Sequence, residues 1–243
     1  RRQRQMCIRD RKRVTLELGG NCGVIIHDDA DLEYAAQRVV AGGFANAGQS
    51  CVSVQRVFVQ ARAYDDFLSR LLPKVEVLQL GDPLEETTDV GPMIDQPAAE
   101  RAEAWVREAL EAGARLLVGG RRDGSFFWPT VLADTAPQMN VNCQEVFAPL
   151  ITVTIYEEFT DALARINDSA YGLQSGVFTR DAKRIFEAFE TLETGGIMIN
   201  DVPTYRVDHM PYGGMKDSGF GREGLRYAIE EMTELKIMVL NLR

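Results

Sequence analysis

The chain of 243 residues has few side chains of the kind that bind transition metals, with four cysteines and two histidines. The cysteines, Cys7, Cys22, Cys51 and Cys143, form no CxxC pair. This spacing does not fit a structural zinc site, and we expect no bound metal. So few cysteines in a chain of this size also argue against a disulfide framework and favour a reduced, cytoplasmic protein.

Long apolar runs and an excess of positive charge are missing as well. No apolar stretch is long enough for a membrane helix, and none near the N-terminus resembles a secretory signal. The 27 basic residues are outnumbered by 36 acidic ones, which gives a net charge of −9. Because phosphate backbones bind to basic surfaces, we expect no nucleic acid as a partner. The lack of a long apolar run argues against a membrane as a partner.

The first 13 residues differ from the rest of the chain. They contain six arginines and one lysine against a single aspartate, and they show no periodicity. One interpretation is a basic arm. The other, which we favour, is a ragged or artefactual leader at 1–13 that does not belong with the rest of the chain.

Alternating patterns along the remaining chain predict an α/β fold. Helical spacing of apolar residues predicts helices near 31–45, 64–77, 160–168 and 181–191, and a helix that begins at Pro97 and ends before Gly113. Strands are predicted near 14–18, 23–26, 55–60, 115–118, 150–156, 174–178 and 196–199. This alternation indicates one domain with a largely parallel sheet flanked by helices. An apolar run from Leu235 to Leu240 predicts a terminal strand.

A glycine-rich motif near the C-terminus needs separate consideration. Residues 219–224 read GFGREG and match the G-x-G-x-x-G dinucleotide fingerprint. That fingerprint requires a preceding strand and an acidic residue about 20 positions later. Here a turn-like PYGGMK precedes the motif and the chain ends at Arg243, so we do not expect it to bind a dinucleotide.

Cys51 and Glu17 are the candidate reactive residues. Cys51 ends a loop of small residues, GQSC at 48–51, where a thiol can be accessible, although lone cysteines more often fill cores. Glu17 lies in an apolar run directly before a pair of glycines. Such a carboxyl is either solvated at a sheet edge or held in a cleft with a raised pKa.

Four segments, in order, resemble the signatures of the aldehyde dehydrogenase superfamily. Residues 16–21 (LELGGN) and 48–51 (GQSC) are similar to its two active-site signatures. Residues 144–149 (QEVFAP) resemble its EVFGP motif, and residues 211–219 (PYGGMKDSG) resemble its C-terminal signature. The chain departs from the family in two places. Cys22 and Gly23 follow the first signature, where the family often has a proline. Ala148 replaces the commonest residue, glycine, and adds only a methyl group.

The resemblance implies a reaction and assigns residues to it. Cys51 would attack an aldehyde as a thiolate, hydride would pass to NAD or NADP, and Glu17 would activate the water that hydrolyses the thioester. The backbone N–H of Cys51 would stabilise the oxyanion. Glu145 would hold the nicotinamide ribose, Phe147 would pack near the ring, and Asn200 would line the substrate tunnel.

The resemblance also implies a domain organisation, and it covers the chain from about Arg13 to the end. We expect an aldehyde dehydrogenase-like catalytic domain at 14–225 and a C-terminal helix end with an oligomerisation strand at 226–243. The Rossmann-like cofactor domain, which in the family precedes the glutamate and supplies an oxyanion asparagine, is expected to be absent from this chain. The chain alone is therefore expected to be inactive, as a fragment of a homodimer or homotetramer.

Arg206 bears on the choice of substrate. In the stretch TYRVDH at 204–209 it either pairs with a carboxylate or phosphate of the substrate or pairs with Asp208 or another acid. Members of the superfamily with a similar stretch act on small hydroxy- or carboxy-aldehydes, so the resemblance implies a lactaldehyde-like or semialdehyde substrate.

Two other functions stay open from the sequence. A cysteine hydrolase or esterase would use the thiol with a histidine, but neither His27 nor His209 is adjacent to the Cys51 or the Glu17 motif in sequence. A non-catalytic, oligomerising relative would be indicated by loss of Cys51 or Glu17, and both are present.

Overall fold

A computed structural model describes residues 14–243, and the predicted leader at 1–13 lies outside the described residues. The α/β class predicted from the sequence is confirmed, with a largely parallel sheet and helices on both of its faces. The helices are α1 (Leu32–Phe44), α2 (Tyr64–Glu76), α3 (Gln96–Glu111), α4 (Asn140–Cys143), α5 (Phe159–Asn167), α6 (Ala182–Thr191) and α7 (Leu225–Met232). The strands are β1 (Leu16–Glu17), β2 (Cys22–Ile26), β3 (Val54–Gln60), β4 (Arg115–Val118), β5 (Arg122–Asp123), β6 (Phe126–Phe127), β7 (Thr130–Ala133), β8 (Leu150–Tyr156), β9 (Tyr171–Gly172), β10 (Gln174–Phe178), β11 (Gly196–Ile199), β12 (Met215–Lys216) and β13 (Gly219–Phe220).

The main sheet has seven strands in the order β11-β10-β2-β3-β8-β7-β4. Neighbouring strands are parallel, except that β4 pairs antiparallel with β7. Because β2, β3 and β8 run in the same direction, the loops that precede them meet at one edge of the sheet. Those loops carry three of the four signature segments, so the topology alone brings them together.

Alternating side chains divide the core between the two faces of the sheet. Val24 and Val57 pack with α1 and α2 on one face, whereas their neighbours Ile25 and Phe58 pack with α5 and α6 on the other. Strands covered on both sides are apolar at successive positions, as is usual for parallel sheets. This double layer gives the signature loops a rigid support.

Local signals explain where the helices begin. Asp31 caps α1, its side chain accepting a hydrogen bond from the Tyr34 N–H. Asp95 caps α3 in the same way through the Ala98 N–H, with Pro97 in the first turn, where a missing N–H costs nothing. Gly113 follows the helix with φ +101°, a conformation that favours glycine.

The first predicted strand is shorter than expected. It spans Leu16–Glu17 instead of 14–18 and pairs antiparallel with β13. Gly219 and Phe220, the first residues of the GFGREG motif, are therefore part of an antiparallel pair. A dinucleotide fingerprint needs a parallel βαβ unit, so this antiparallel pair does not have the geometry of that fingerprint.

The predicted terminal strand is not formed in the described chain. Residues 235–240 pair with no strand of the described part, and Leu235, Ile237 and Val239 are almost fully exposed. A strand exists only where another edge accepts its backbone hydrogen bonds, and within the described residues this segment pairs with no sheet edge.

No helix within residues 14–243 has the length and apolar character needed to cross a membrane.

Candidate active site

Three loops come into direct contact at the amino ends of β2, β3 and β8, and glycines make this approach possible. A Cβ added to Gly20 would lie 2.0 Å from the Cys51 carbonyl oxygen. A Cβ on Gly48, whose φ is +66°, would lie 2.0 Å from the carbonyl oxygen of Ala148. The Gly20 N–H also donates to Glu145 Oε1 at 2.8 Å. The glycines of the first two signatures are thus the positions where one loop touches the next.

The loops enclose an open cleft of about 490 Å³ whose lining includes Glu17, Cys51, Glu145 and Phe147. These are four of the six site residues predicted from the sequence. The structure therefore brings together in one cleft residues that are up to 130 positions apart in the chain.

Cys51 is held in a tight turn at the entrance to β3. The Ser53 N–H donates to the Ser50 carbonyl at 3.0 Å and closes the turn. Just before it, the backbone passes through three consecutive residues with positive φ, at 46–48. The thiol is partly exposed, and its Sγ lies 3.3 Å from the Tyr212 hydroxyl. This cysteine is accessible rather than a core filler.

Glu17 is held in the cleft, the second of the two environments that the sequence left open. Burial raises the pKa of its carboxyl, and the nearby Glu223 carboxylate adds to this effect. The Arg206 charge, a side-chain hydrogen bond from Tyr212 and the Arg222 charge lower the pKa in the opposite direction. Its Oε1 atom is buried and has no hydrogen-bond partner in the described structure. A carboxylate with a raised pKa is a better proton acceptor near neutral pH.

The Glu145 loop is fixed by a residue to which the sequence assigned no role. Gln55, buried in β3, donates through Nε2 to the carbonyls of Val141 and Gln144 at 2.9 and 2.7 Å. Its Oε1 accepts the Val146 N–H at 3.0 Å. Gln55 therefore ties the strand that follows Cys51 to the loop that carries Glu145. The polar residues Gln55 and Arg56 at the start of a buried strand were the available sequence signal.

Glu145 and Phe147 fit the nicotinamide end of a dinucleotide. Burial raises the pKa of Glu145, although the Gly20 N–H bond and the Arg101 charge oppose this. A carboxylate accepts hydrogen bonds at both oxygens and so matches the two hydroxyls of a ribose. Phe147, with φ +52°, leaves 38% of its surface exposed at the cleft, where an aromatic ring can pack on a flat heterocycle.

Arg206 lies next to this cleft, and its partner is an acid other than Asp208. Its Nη2 donates to Glu223 Oε2 at 2.9 Å, and its guanidinium carbon lies 4.0 Å from the centre of the Tyr212 ring. Tyr212 and Glu223 also exchange two backbone hydrogen bonds. The sequence assigned no role to Tyr212, although the PYGG signature contains it.

Asn200 is not brought to the cleft. It directly follows β11, at the carboxyl end of a strand, whereas the signature loops precede their strands. Its side chain is exposed, and its Oδ1 accepts the Thr179 N–H at 3.0 Å. The Asn200 side chain therefore stabilises a turn at the opposite edge of the sheet.

The carboxyl edge of the sheet also holds a small acidic cluster. His27, Asp28 and Asp29 place potential metal-ligand atoms within 4.8 Å of one another. Both ring nitrogens of His27 are already engaged, Nδ1 with the Tyr156 hydroxyl at 2.8 Å and Nε2 with Asp28 at 3.2 Å. This cluster lies away from Cys51 and has no part in the cleft.

Comparisons with known proteins point in one direction. Residues 3–238 match the model of the aldehyde dehydrogenase family, so the match begins inside the segment interpreted as a leader. The 3-sulfolactaldehyde dehydrogenase of Priestia megaterium is 50% identical over 231 residues, covering 95% of this chain and 48% of the relative. The lactaldehyde dehydrogenase of Methanococcus aeolicus is 42% identical, covering 95% and 49%. The chain thus spans about half the length of the curated relatives it matches.

Solved structures agree with these relatives. Aldehyde dehydrogenase 21 from Physcomitrella patens, in complex with the reaction product succinate, has a TM-score of 0.91 and 45% identity, covering 94% of this chain and 48% of that one. The glyceraldehyde-3-phosphate dehydrogenase GapN from Methanocaldococcus jannaschii, complexed with NADP, has a TM-score of 0.90 and 41% identity, covering 93% and 49%.

Proposed function

Because the chain belongs to the aldehyde dehydrogenase family, we propose that the protein containing it oxidises an aldehyde to a carboxylate with NAD or NADP. The observation that carries the proposal is the convergence of Cys51, Glu17 and Glu145 on one cleft. An accessible thiol, a carboxylate with a raised pKa and a second carboxylate suited to a ribose are the groups that this reaction needs.

The first half of the reaction uses Cys51. Its thiolate attacks the aldehyde carbon and gives a thiohemiacetal, whose oxygen the Cys51 backbone N–H would stabilise. Hydride departure from this carbon needs an acceptor, which bound NAD or NADP would supply. Glu145 would hold the nicotinamide ribose, and Phe147 would pack near the ring.

The second half uses Glu17. It removes a proton from a water molecule, which attacks the thioester and releases the carboxylate. The buried, unpaired Oε1 of Glu17 is suited to hold this water, since a buried oxygen without a partner costs free energy until a donor reaches it.

The substrate class that we propose is a small hydroxy- or carboxy-aldehyde, including sulfonated ones. Relatives are named for sulfolactaldehyde, lactaldehyde and aspartate semialdehyde. Arg206 beside the cleft supports an anionic substrate, because its guanidinium can exchange Glu223 for a substrate carboxylate or sulfonate.

The geometry favours this reaction over a cysteine hydrolase. A thiol hydrolase needs a histidine hydrogen-bonded to the thiol. His27 is bonded to Tyr156 at the opposite edge of the sheet, whereas the Sγ of Cys51 contacts Tyr212.

The proposal is tested with Cys51→Ala and Glu17→Gln in the full-length protein. Cys51→Ala is expected to abolish aldehyde oxidation, and Cys143→Ala serves as the matched control that keeps it. Glu17→Gln is expected to give a burst of reduced cofactor and then to lose roughly 10²–10⁴ in steady-state rate. Turnover by Cys51→Ala would refute the assignment, and a slow first turnover without a burst would move Glu17 to activation of the thiol.

We also propose that the protein is a cytoplasmic homodimer or homotetramer. The three described cysteines are free thiols, which suits a reducing compartment. The exposed apolar residues at 235–242 support association, since such segments rarely stay uncovered on a monomer. Sedimentation of the full-length protein, with and without residues 234–243, tests this: loss of the oligomer on truncation is expected, and an unchanged mass contradicts it.

A further consequence is that residues 14–243 alone are inactive. The cleft offers groups for the nicotinamide and its ribose only, whereas correct positioning contributes about 7–11 kcal/mol to reactions of this kind. Calorimetric titration of this segment with NAD and NADP is expected to show no micromolar binding. Any turnover that depends on Cys51 would overturn this expectation.

A further inference from the structure

The hydroxyl of Tyr212 contacts one of the two residues that carry the proposed chemistry and lies near the other. Its oxygen lies 3.3 Å from Cys51 Sγ, and as a nearby donor it lowers the pKa of the Glu17 carboxyl. Resting on the proposed function, we propose that Tyr212 is a further catalytic residue. Its hydroxyl carries the thiol proton of Cys51 to the Glu17 carboxylate and returns a proton to the sulfur when the thioester is hydrolysed.

Tyr212 is held rigidly enough for this role. Only 4% of its surface is exposed. Its backbone N–H donates to the Glu223 carbonyl at 3.1 Å, and its carbonyl accepts the Glu223 N–H at 2.6 Å. The Arg206 guanidinium carbon lies 4.0 Å from the centre of its ring. Arg206 is in turn anchored to Glu223. The hydroxyl therefore stays beside the sulfur instead of turning towards solvent.

The chemistry of the three groups sets the direction of transfer. A phenol can accept one hydrogen bond while donating another, so in the proposed relay the thiol donates to the Tyr212 oxygen and the Tyr212 O–H donates to Glu17. When the S–H bond breaks, an O–H bond forms on Tyr212 as its original proton moves to Glu17. Tyr212 is neutral before and after. This matters because burial and the neighbouring Cys51 raise its pKa, which makes a phenolate costly at this position.

The return step balances in the same way. After the thioester forms, Glu17 releases its proton to solvent and then takes one from the attacking water. As the carbon–sulfur bond breaks, the departing sulfur takes the proton of Tyr212, and Glu17 restores it. The net change is thioester plus water to carboxylic acid plus thiol.

The variant that isolates the hydroxyl is Tyr212→Phe, which keeps the ring and its contact with Arg206. Tyr156→Phe is the matched control, because it also removes a buried tyrosine hydroxyl, one that bonds His27 at the opposite edge of the sheet. Thermal unfolding of both variants verifies that the fold is retained.

The first measurement is the alkylation of Cys51 by iodoacetamide between pH 5 and 10, without aldehyde or cofactor, followed by mass spectrometry of the Cys51 peptide. A hydrogen bond to a charged group changes an equilibrium by roughly 10- to 100-fold. Tyr212→Phe is expected to slow alkylation by about that factor at neutral pH and to match wild type at high pH, where the thiol ionises unaided. Tyr156→Phe is expected to match wild type throughout. A wild-type rate at neutral pH for Tyr212→Phe would overturn the proposal.

The second measurement is steady-state oxidation of propanal and lactaldehyde by the full-length variants. The relay requires kcat to fall for both aldehydes by a similar factor. A loss confined to KM for lactaldehyde would make the hydroxyl a substrate contact and overturn the relay. Failure of the proposed function shows itself differently, as absence of aldehyde oxidation in the wild type while the alkylation difference persists.

Discussion

The contact between Gly20 and Cys51 predicts the consequence of adding a single methyl group. In Gly20→Ala the new Cβ would lie 2.0 Å from the Cys51 carbonyl oxygen, whereas real Cβ atoms essentially never approach a neighbour closer than 3.0 Å. The two loops must therefore separate by about 1 Å. Gly20 is not among the glycines with positive φ, so the expected effect comes from this contact and not from backbone strain.

The size of the effect follows from the displacement. A shift of about 1 Å at a reacting group lowers rates by roughly 10²-fold, and overpacking of this kind costs about 1–3 kcal/mol of stability. We expect Gly20→Ala to lower kcat/KM of the full-length enzyme by about two orders of magnitude. The midpoint of thermal unfolding is expected to fall by only a few degrees.

The control is Gly91→Ala, whose Cβ would meet Pro83 at an ordinary 3.6 Å. We expect this variant to keep the activity and thermal midpoint of the wild type. Activity of Gly20→Ala within twofold of wild type, at an unchanged thermal midpoint, would refute the reasoning that these glycines hold the active-site loops in contact.

Three further outcomes are expected. Arg206→Met in the full-length enzyme should lower kcat/KM for anionic aldehydes by about tenfold relative to neutral ones, since a charge-assisted pair is lost, and an unchanged preference would contradict the substrate assignment. Arg56→Leu should lower the free energy of unfolding, measured in urea, by roughly 3 kcal/mol or more. The buried guanidinium donates to the carbonyls of Asn21, Arg165 and Ile166, and each buried carbonyl left without a donor costs about 1–3 kcal/mol. A loss below about 1 kcal/mol would refute this. The pKa of Glu17 is raised above its ordinary 4.5, so the folded state binds this proton more tightly; that stabilisation is complete below pH 4.5 and is lost as the pH rises through the raised pKa. Glu17→Gln should therefore flatten the dependence of the urea midpoint on pH above 4.5, and an unchanged slope would count against it.

Much of the fold follows from local signals in the sequence. The strand patterns of β3 and β8 and the Asp95 cap and Pro97 of α3 predict elements that agree with the structure within one or two residues. These signals are read within a single turn or strand, so they do not depend on distant parts of the chain. The resemblance likewise predicted the positions of Cys51 and Glu17, which the structure places in one cleft.

Only the tertiary structure decided which groups face one another there. Cys51 and Tyr212 are 161 positions apart, and Arg206 pairs with Glu223, not with its neighbour Asp208. Asn200 follows the carboxyl end of β11, whereas the signature loops precede the amino ends of their strands. It therefore lies at the opposite edge of the sheet, and the motif around Asn200 does not indicate which edge that is. Contacts of this kind depend on strand order and on which end of each strand a loop occupies. The sequence by itself thus determined the elements and the reactive residues, and the packing of parallel strands determined their partners.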